Sequence, residues 1–193
     1  MTARRFFPGL IFGLLISGMQ FAAAQSAPTA YGNQFSLTAG GMGSLFQPDY
    51  KGGGVPAASS TPLVGIGAYA DAQFSRWFGI EAEARWLRFN QYADIHQDNY
   101  LIGYRLPIQR ARFWSFTPYA KILVGYGTMN FEYNNAHGRF TDIAYGGGLD
   151  MHTRGRLTIR PVDFELQQWP SWLGTTLHPW GVSAGVGWRI LGR

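Results

Sequence analysis

The stretch that decides the fold reads VGIGAYADAQF from Val64 to Phe74 and, after a short connector, IEAEARW from Ile80 to Trp86. In both pieces every second residue is apolar or aromatic, and the residues between them are mostly glycine, polar or charged. A period of two is typical of a β-strand whose two faces meet different surroundings. The same period recurs through the rest of the chain and predicts an all-β protein.

Eight segments carry this period. They are residues 35–45, 64–74, 80–86, 100–106, 119–127, 142–151, 157–167 and 180–190. The seventh changes phase at Pro161, because Leu157 and Ile159 share one parity and Val162 and Phe164 the other. Proline is found in sheets mainly at edges and bulges, so we expect one extra residue there to restore the phase.

The composition excludes several classes of protein. Of 193 residues only 14% are charged, against about 25% in an ordinary soluble domain, and 16% are aromatic. The chain contains 26 glycines and no cysteine, which excludes a disulfide framework, a thiolate metal site and a cysteine nucleophile. Together with a mean hydropathy of -0.10, these values suggest a surface that does not face water everywhere.

The N-terminus has the pattern of an export signal. Arg4 and Arg5 precede a short apolar run, and Ala22-Ala23-Ala24 supplies the small residues of a cleavage site. We predict a signal peptide over 1–24, a periplasmic segment over 25–34 and a β-barrel over 35–193. Loss of the two arginines lowers the net charge from +5 to +3, which gives no case for nucleic acid.

Two folds compete for an exported chain with such strands, a soluble sandwich and a membrane barrel. The strands are long enough to cross a membrane at a tilt, and aromatic residues gather near their ends as at a membrane interface. We therefore predict an eight-stranded antiparallel up-and-down transmembrane β-barrel, with its apolar face on lipid. The predicted interfacial aromatics are Trp77, Phe78, Trp114, Phe116, Trp169, Trp172, Trp180 and Trp188.

Several pieces of the chain resemble the OmpA-like superfamily of eight-stranded outer-membrane barrels. They are TPYAK (117–121), VGYG (124–127), YGGGLD (145–150), LTIRPVDFE (157–165) and GVGWRI (185–190). The resemblance implies a monomer in the bacterial outer membrane, in contact with lipid and lipopolysaccharide. The last strand looks like the signal read by the barrel-insertion machinery, although Leu191-Gly192-Arg193 follow it where an aromatic residue usually ends the chain.

The charged side chains fall on the face predicted to point inward. The lumen of an eight-stranded barrel is just wide enough to be filled by side chains, so charges there must pair. We predict a salt-bridge network across the lumen. Its members are Asp71, Glu81, Glu83, Arg85, Arg105, Lys121, Asp142, Asp150, Arg160, Asp163, Glu165 and Arg189.

Connectors alternate between short and long. Those at 76–77, 109–112 and 153–155 are short and predict periplasmic turns, whereas 46–61, 91–98, 130–138 and 168–176 predict external loops. We expect a structural or surface-interaction role, with a possible extracellular ligand at the loops. A small passive or gated pore is the alternative.

An enzyme is a third possibility, because paired carboxylates such as Glu81 with Glu83 suit acid/base chemistry. A filled lumen leaves no room for substrate, and no His-x-Ser motif is present. Asp94, His96 and Asp98 alternate like metal ligands, but a solvated polar loop is the commoner use of such residues. We therefore predict no catalytic residue, metal or cofactor.

Overall fold

The computed structural model describes residues 35–49, 62–89, 95–108, 115–131, 136–153, 155–172 and 175–192. The predicted signal peptide, the segment 25–34 and Trp114 lie outside this part of the chain. The described residues contain no helix long and apolar enough to cross a membrane.

Nine strands follow one another in the described part of the chain. They are β1 (Ser36–Gln47), β2 (Leu63–Ser75), β3 (Phe78–Phe89), β4 (Ile95–Pro107), β5 (Phe116–Phe131), β6 (Ala136–His152), β7 (Leu157–Trp172), β8 (Thr175–Leu177) and β9 (Trp180–Leu191).

Eight of these strands close into an antiparallel barrel. Each of β1 to β7 pairs with its neighbour in the chain, β7 pairs with β9, and β9 pairs with β1. The short β8 pairs only with the far end of β7. The predicted eight-stranded barrel is confirmed, and along the middle of the wall each of its strands is paired on both sides.

The two ends of the barrel differ, and we name them by their connections. The turn end holds the tight turn at Arg76-Trp77 between β2 and β3, together with the start of β1 and the end of β9. The opposite end, where β1 leads towards β2 and β3 towards β4, is the loop end.

The alternation of side chains places apolar residues on the outside and charges inside. On β5, Ile122 is 62% exposed on the outer wall, whereas its neighbour Lys121 is 2% exposed and points into the lumen. Val186 on β9 is likewise exposed, and Arg160 on β7 is fully buried. This inverted polarity suits a barrel whose outer wall meets hydrocarbon.

Aromatic side chains mark both ends of the apolar wall. At the turn end, Phe74 stacks on Phe78 and Phe78 on Tyr104, with ring centroids 5.6 Å and 5.5 Å apart. Near the loop end, Tyr100 lies 5.3 Å from Tyr126 across β4 and β5. Such rows are typical of the two interfaces of a membrane, where amphipathic rings are most stable.

A bulge at Pro161 restores the phase of β7, as the sequence predicts. Arg160 pairs with Gly185 and Asp163 with Ser183, so three steps on β7 oppose two on β9. The pairing with β6 shifts at the same place. The extra residue lets Arg160 and Asp163 both point into the lumen, although their odd spacing would put them on opposite faces of a regular strand.

The strands reach further at the loop end than predicted. β4 begins at Ile95, β5 continues to Phe131, β6 begins at Ala136 and β7 continues to Trp172. β1 likewise runs to Gln47, so parts of all four predicted external loops are barrel wall. The inward residues of these added lengths include large apolar ones, such as Met129, Phe140 and Trp169, which have a role described below.

Inward glycines make room for aromatic rings that cross the lumen wall. Gly40 lies opposite Tyr69, and a Cβ on it would come within 2.4 Å of the Val186 carbonyl oxygen and 2.6 Å of the tyrosine ring. A Cβ on Gly127 would lie 2.2 Å from the ring of Phe140, its partner on β6. These rings fill space that a side chain would otherwise occupy.

We expect Gly40→Ala to destabilise the barrel by about 1–3 kcal/mol, because the new methyl group overpacks a filled site. Gly43→Ala on the same strand is the matched control, since a Cβ there meets nothing within 4 Å. Urea unfolding in detergent micelles, followed by tryptophan fluorescence, measures the difference. Equal stability of the two variants would show that the lumen tolerates the extra group.

Candidate functional site in the barrel lumen

Ten charged side chains form one network of ion pairs inside the barrel. Six strands contribute them, β2 to β7, each from positions whose neighbours along the strand face outward. All ten are buried. They are Asp71, Glu81, Glu83, Arg85, Arg105, Lys121, Asp150, Arg160, Asp163 and Glu165.

Arg160 is the centre of the half of the network nearer the turn end. Its Nη2 lies 2.8 Å from Oδ2 of Asp71, and its Nε donates to Oδ1 of Asp150 at 3.0 Å. Its Nη1 donates to Oε1 of Glu81 at 3.2 Å and lies 3.5 Å from Oδ2 of Asp163. One guanidinium thus joins carboxylates from β2, β3, β6 and its own strand.

Arg105 supports the same carboxylates from β4. Its Nε lies 2.9 Å from Oε2 of Glu81, and its Nη2 donates to Asp150. With two arginines sharing two carboxylates, no single pair carries the whole interaction.

Two tyrosine rings complete this half. The guanidinium of Arg160 lies 4.0 Å from the ring centroid of Tyr69 and 4.9 Å from that of Tyr119. Arg105 lies 4.0 Å from the same Tyr119 ring. The aromatic faces give the buried cations further stabilisation by cation–π interaction.

Lys121 is the centre of the other half. Its Nζ donates to Glu83 and, at 2.7 Å, to Oδ2 of Asp163. It also lies 3.1 Å from Glu165 and 3.5 Å from Glu81. Because Glu81 and Asp163 contact Arg160 as well, these two carboxylates connect the halves into one cluster.

Arg85 holds the loop-end side of the cluster. It binds Glu165 with both Nη atoms, at 2.7 Å and 2.9 Å, and also donates to Glu83. Gln167 donates to Glu165 at 2.8 Å, and the indole Nε1 of Trp169 donates to Gln167 at 3.1 Å. These hydrogen bonds follow β7 towards the loop end, from the carboxylate of Glu165 to the amide of Gln167 and the indole of Trp169.

An apolar cap lies at the loop end of the lumen. Each of strands β1 to β8 contributes one buried residue to it, and Phe140 stacks on Trp169 with ring centroids 4.1 Å apart. The cap residues are Phe46, Leu63, Leu87, Ile95, Met129, Phe140, Trp169 and Leu177. Within the described residues the lumen is therefore filled by charges below and by this apolar ring above.

The chain matches the family described as outer membrane protein beta-barrel domain over residues 12–189. That range includes nearly the whole chain. The chain belongs to this family. It is a barrel of the bacterial outer membrane. No curated protein matches it significantly.

Solved outer-membrane barrels share its fold at low sequence identity. OprG of Pseudomonas aeruginosa is 15% identical, with a TM-score of 0.59 over 83% of this chain and 98% of OprG. The N-terminal β-barrel domain of OprF from the same organism is 12% identical, with a TM-score of 0.59 over 81% and 98%. Ail, the attachment invasion locus protein of Yersinia pestis, is 16% identical, with a TM-score of 0.51 over 81% and 97%.

Two predicted network members of this outer-membrane barrel lie apart from the ion pairs. Asp142 is buried but accepts a hydrogen bond from Nδ2 of Asn99, 2.5 Å away, and Gln97 donates to Asn99 at 2.8 Å. Arg189 is half-buried near the turn end and makes no ion pair with the described residues. The prediction missed Asn99 and Gln97 because it began the fourth strand at Tyr100.

The interfacial prediction was wrong for Trp169. Its parity on β7 places it inside, fully buried in the cap. Trp77, Phe78, Trp180 and Trp188 are exposed on the outer surface, and Phe116 is half-buried. The side chain of Trp172 lies outside the described residues, as does Trp114.

Three carboxylates in the network have the spacing of metal ligands. Oxygen atoms of Glu81, Glu83 and Asp163 lie within 4.8 Å of one another. The Nζ of Lys121 is within 3.5 Å of each residue, so an ammonium group already provides the positive charge at this place. Of the suggested external ligands, His96 and Asp98 share the outer face of β4, and Asp94 lies outside the described residues.

Lys121→Met should lower the free energy of unfolding by about 3–5 kcal/mol, because it leaves the carboxylates of Glu83, Asp163 and Glu165 with one cation fewer in a buried site. Arg156→Met, at an exposed position of the turn end, is the matched control and should change stability little. Urea unfolding in micelles measures both. A Lys121→Met barrel as stable as the control would mean that the ammonium contributes nothing net.

Proposed function

We propose that this outer-membrane barrel is a closed scaffold with a structural and surface-interaction role, and that it is neither an open pore nor an enzyme. The observation that carries the proposal is the filled lumen. Buried ion pairs occupy its middle, and one apolar residue from each of eight strands closes its loop end. A water-filled path needs polar side chains in contact with solvent, which this interior does not offer in the described residues.

The same observation argues against catalysis in the lumen. The carboxylates suited to acid/base work are engaged by Arg85, Arg105, Lys121 and Arg160 at hydrogen-bond or ion-pair distance. A general acid or base has to reach a substrate, and these groups reach only one another. The two suggested pairs, Glu81 with Glu83 and Asp163 with Glu165, are therefore structural in this proposal.

Function then belongs at the surface that the barrel presents. On this proposal the loop end faces the outside, residues 1–24 direct export, and β9 is read by the barrel-insertion machinery of the cell. The barrel acts as a monomer within lipid and lipopolysaccharide. Much of the proposed contact surface, in 50–61, 90–94 and 132–135, lies outside the described residues.

Other barrels of this fold support a surface role by analogy. Ail is named for attachment and invasion. A shared fold does not transfer a partner, but the name of this barrel supports the proposal that a small barrel serves as a platform for surface contacts.

Arg160→Ala distinguishes a brace from a gate. If the network braces the wall, single-channel conductance in planar bilayers stays at the baseline of the unmodified protein, and the temperature at which the folded band is lost on gel electrophoresis falls. Conductance that rises in Arg160→Ala, with stability unchanged, would favour the gated pore instead. Arg156→Ala serves as the control for loss of an exposed arginine.

Single cysteines test the orientation, since the natural chain has none. His178 is exposed at the loop end and Arg76 at the turn end. A membrane-impermeant maleimide added to intact cells should label His178→Cys and leave Arg76→Cys unlabelled until the cells are broken. Labelling of Arg76→Cys alone would reverse the orientation.

A further inference from the structure

The outer wall of β3 and β4 changes from aromatic to charged within two residues, from Trp86 to Arg88 and from Tyr100 to Asp98. On β5 and β6 the next outward pair towards the loop end after Tyr126 and Thr141 is Thr128 and Arg139. Tyr100 and Tyr126 stack as neighbours on β4 and β5, and Tyr100 accepts a hydrogen bond from the indole of Trp86 at 3.2 Å. The next outward residue on β4 towards the loop end is Asp98, and Thr128 is its partner in the register with β5. Since aromatic rows lie at the level of lipid headgroups, the polar residues beyond them lie among or just past those headgroups.

A cleft of about 520 Å³ occupies this polar part of the wall. It is large enough for a small ligand, since such sites measure roughly 300–1,000 Å³. Its lining includes Arg88, His96, Asp98, Thr128, Asn130 and Arg139.

Two guanidinium groups give the cleft its charge. Arg88 is paired with Asp98, with side chains 37% and 22% exposed. Arg139, opposite Thr128 on β6, is exposed and makes no ion pair with the described residues. The two guanidinium groups face the one carboxylate of Asp98. Guanidinium binds phosphate oxygens in a bidentate geometry, and the Thr128 hydroxyl and Asn130 amide are further possible donors.

The other side of the barrel has no such feature among the described residues. The outward side chains near the loop end of β1, β2, β7 and β9 include Leu45, Val64, Leu166 and Trp180, all exposed and apolar. Among the residues that the structure describes at this height, the positive charge is therefore local to one cleft.

We propose that this cleft binds a phosphate group of lipid A, the membrane anchor of lipopolysaccharide. The assignment rests on the proposed orientation, because a loop end that faces outward puts the cleft in the outer leaflet, where lipopolysaccharide is the lipid. Arg88 and Arg139 bind the phosphate, and the acyl chains lie along the apolar wall below Tyr100 and Tyr126.

Native mass spectrometry of the protein purified from outer membranes, titrated with bisphosphorylated lipid A, tests the site. The unmodified protein should bind lipid A, and the double variant Arg88→Gln, Arg139→Gln should bind it about tenfold or more weakly, since charge-assisted hydrogen bonds are lost. Asp98→Asn should bind at least as tightly as the unmodified protein, because it removes the only carboxylate among the cleft-lining residues. Arg76→Gln, an exposed arginine at the turn end, is the matched control.

The ligand arms separate the possible sources of phosphate. Dephosphorylated lipid A, phosphatidylglycerol and inorganic phosphate should each bind more weakly than lipid A. Equal binding of phosphatidylglycerol would overturn the assignment to lipopolysaccharide, and unchanged lipid A binding by the double variant would overturn the site. Folded migration on gels before heating verifies that each variant is intact. The maleimide experiment separates the two proposals: if His178→Cys is labelled outside and the double variant still binds lipid A, only the site fails.

Discussion

The structure depends on the need to pair charges that the barrel removes from water. A narrow lumen holds ten charged side chains, and an isolated ion in such a place costs several kcal/mol. Arg160 contacts carboxylates from β2, β3, β6 and β7, and Lys121 on β5 contacts carboxylates from β3 and β7, so each cation ties together parts of the wall that are far apart in the chain. Hydrogen bonds between neighbouring strands form the wall, and these cations fix its cross-section.

Other features follow from that constraint. The bulge at Pro161 is needed because Arg160 and Asp163 must both face the lumen. The inward glycines are needed because the rings of Tyr69 and Phe140 lie against the wall and leave no room for a Cβ. Seven buried carboxylates meet only four buried bases, so the remaining polar demand is met by amides, as when Asn99 donates to Asp142. The bulge, the inward glycines and the amide hydrogen bonds therefore all support the same filled interior.

The fold could be predicted from the sequence because alternation, strand length and aromatic placement all agree. The inward positions of Glu81, Lys121 and Arg160 follow from the same parity.

What the pattern could not reveal was the apolar cap. Large apolar residues on the inner face, such as Leu87, Ile95 and Met129, look in sequence like the end of a strand or the start of an interface. The prediction for Trp169 is wrong for this reason. The sequence pattern does not distinguish an indole that faces lipid from one that faces a dry lumen. The individual ion pairs could not be predicted either, because they join strands whose separation across the lumen is set only when the barrel closes.

A filled lumen and a one-sided outer wall together suggest how such a small barrel can have a function. With the interior committed to stability, selectivity has to come from what the outer surface presents at each height in the membrane. The wall of β3 to β6 presents tyrosines and then arginines, whereas the wall of β1, β2, β7 and β9 remains apolar close to the loop end. Lipid that packs around the barrel therefore meets two chemically different sides. An asymmetric scaffold of this kind would favour one arrangement of lipopolysaccharide around it, and so one orientation of whatever its loops contact.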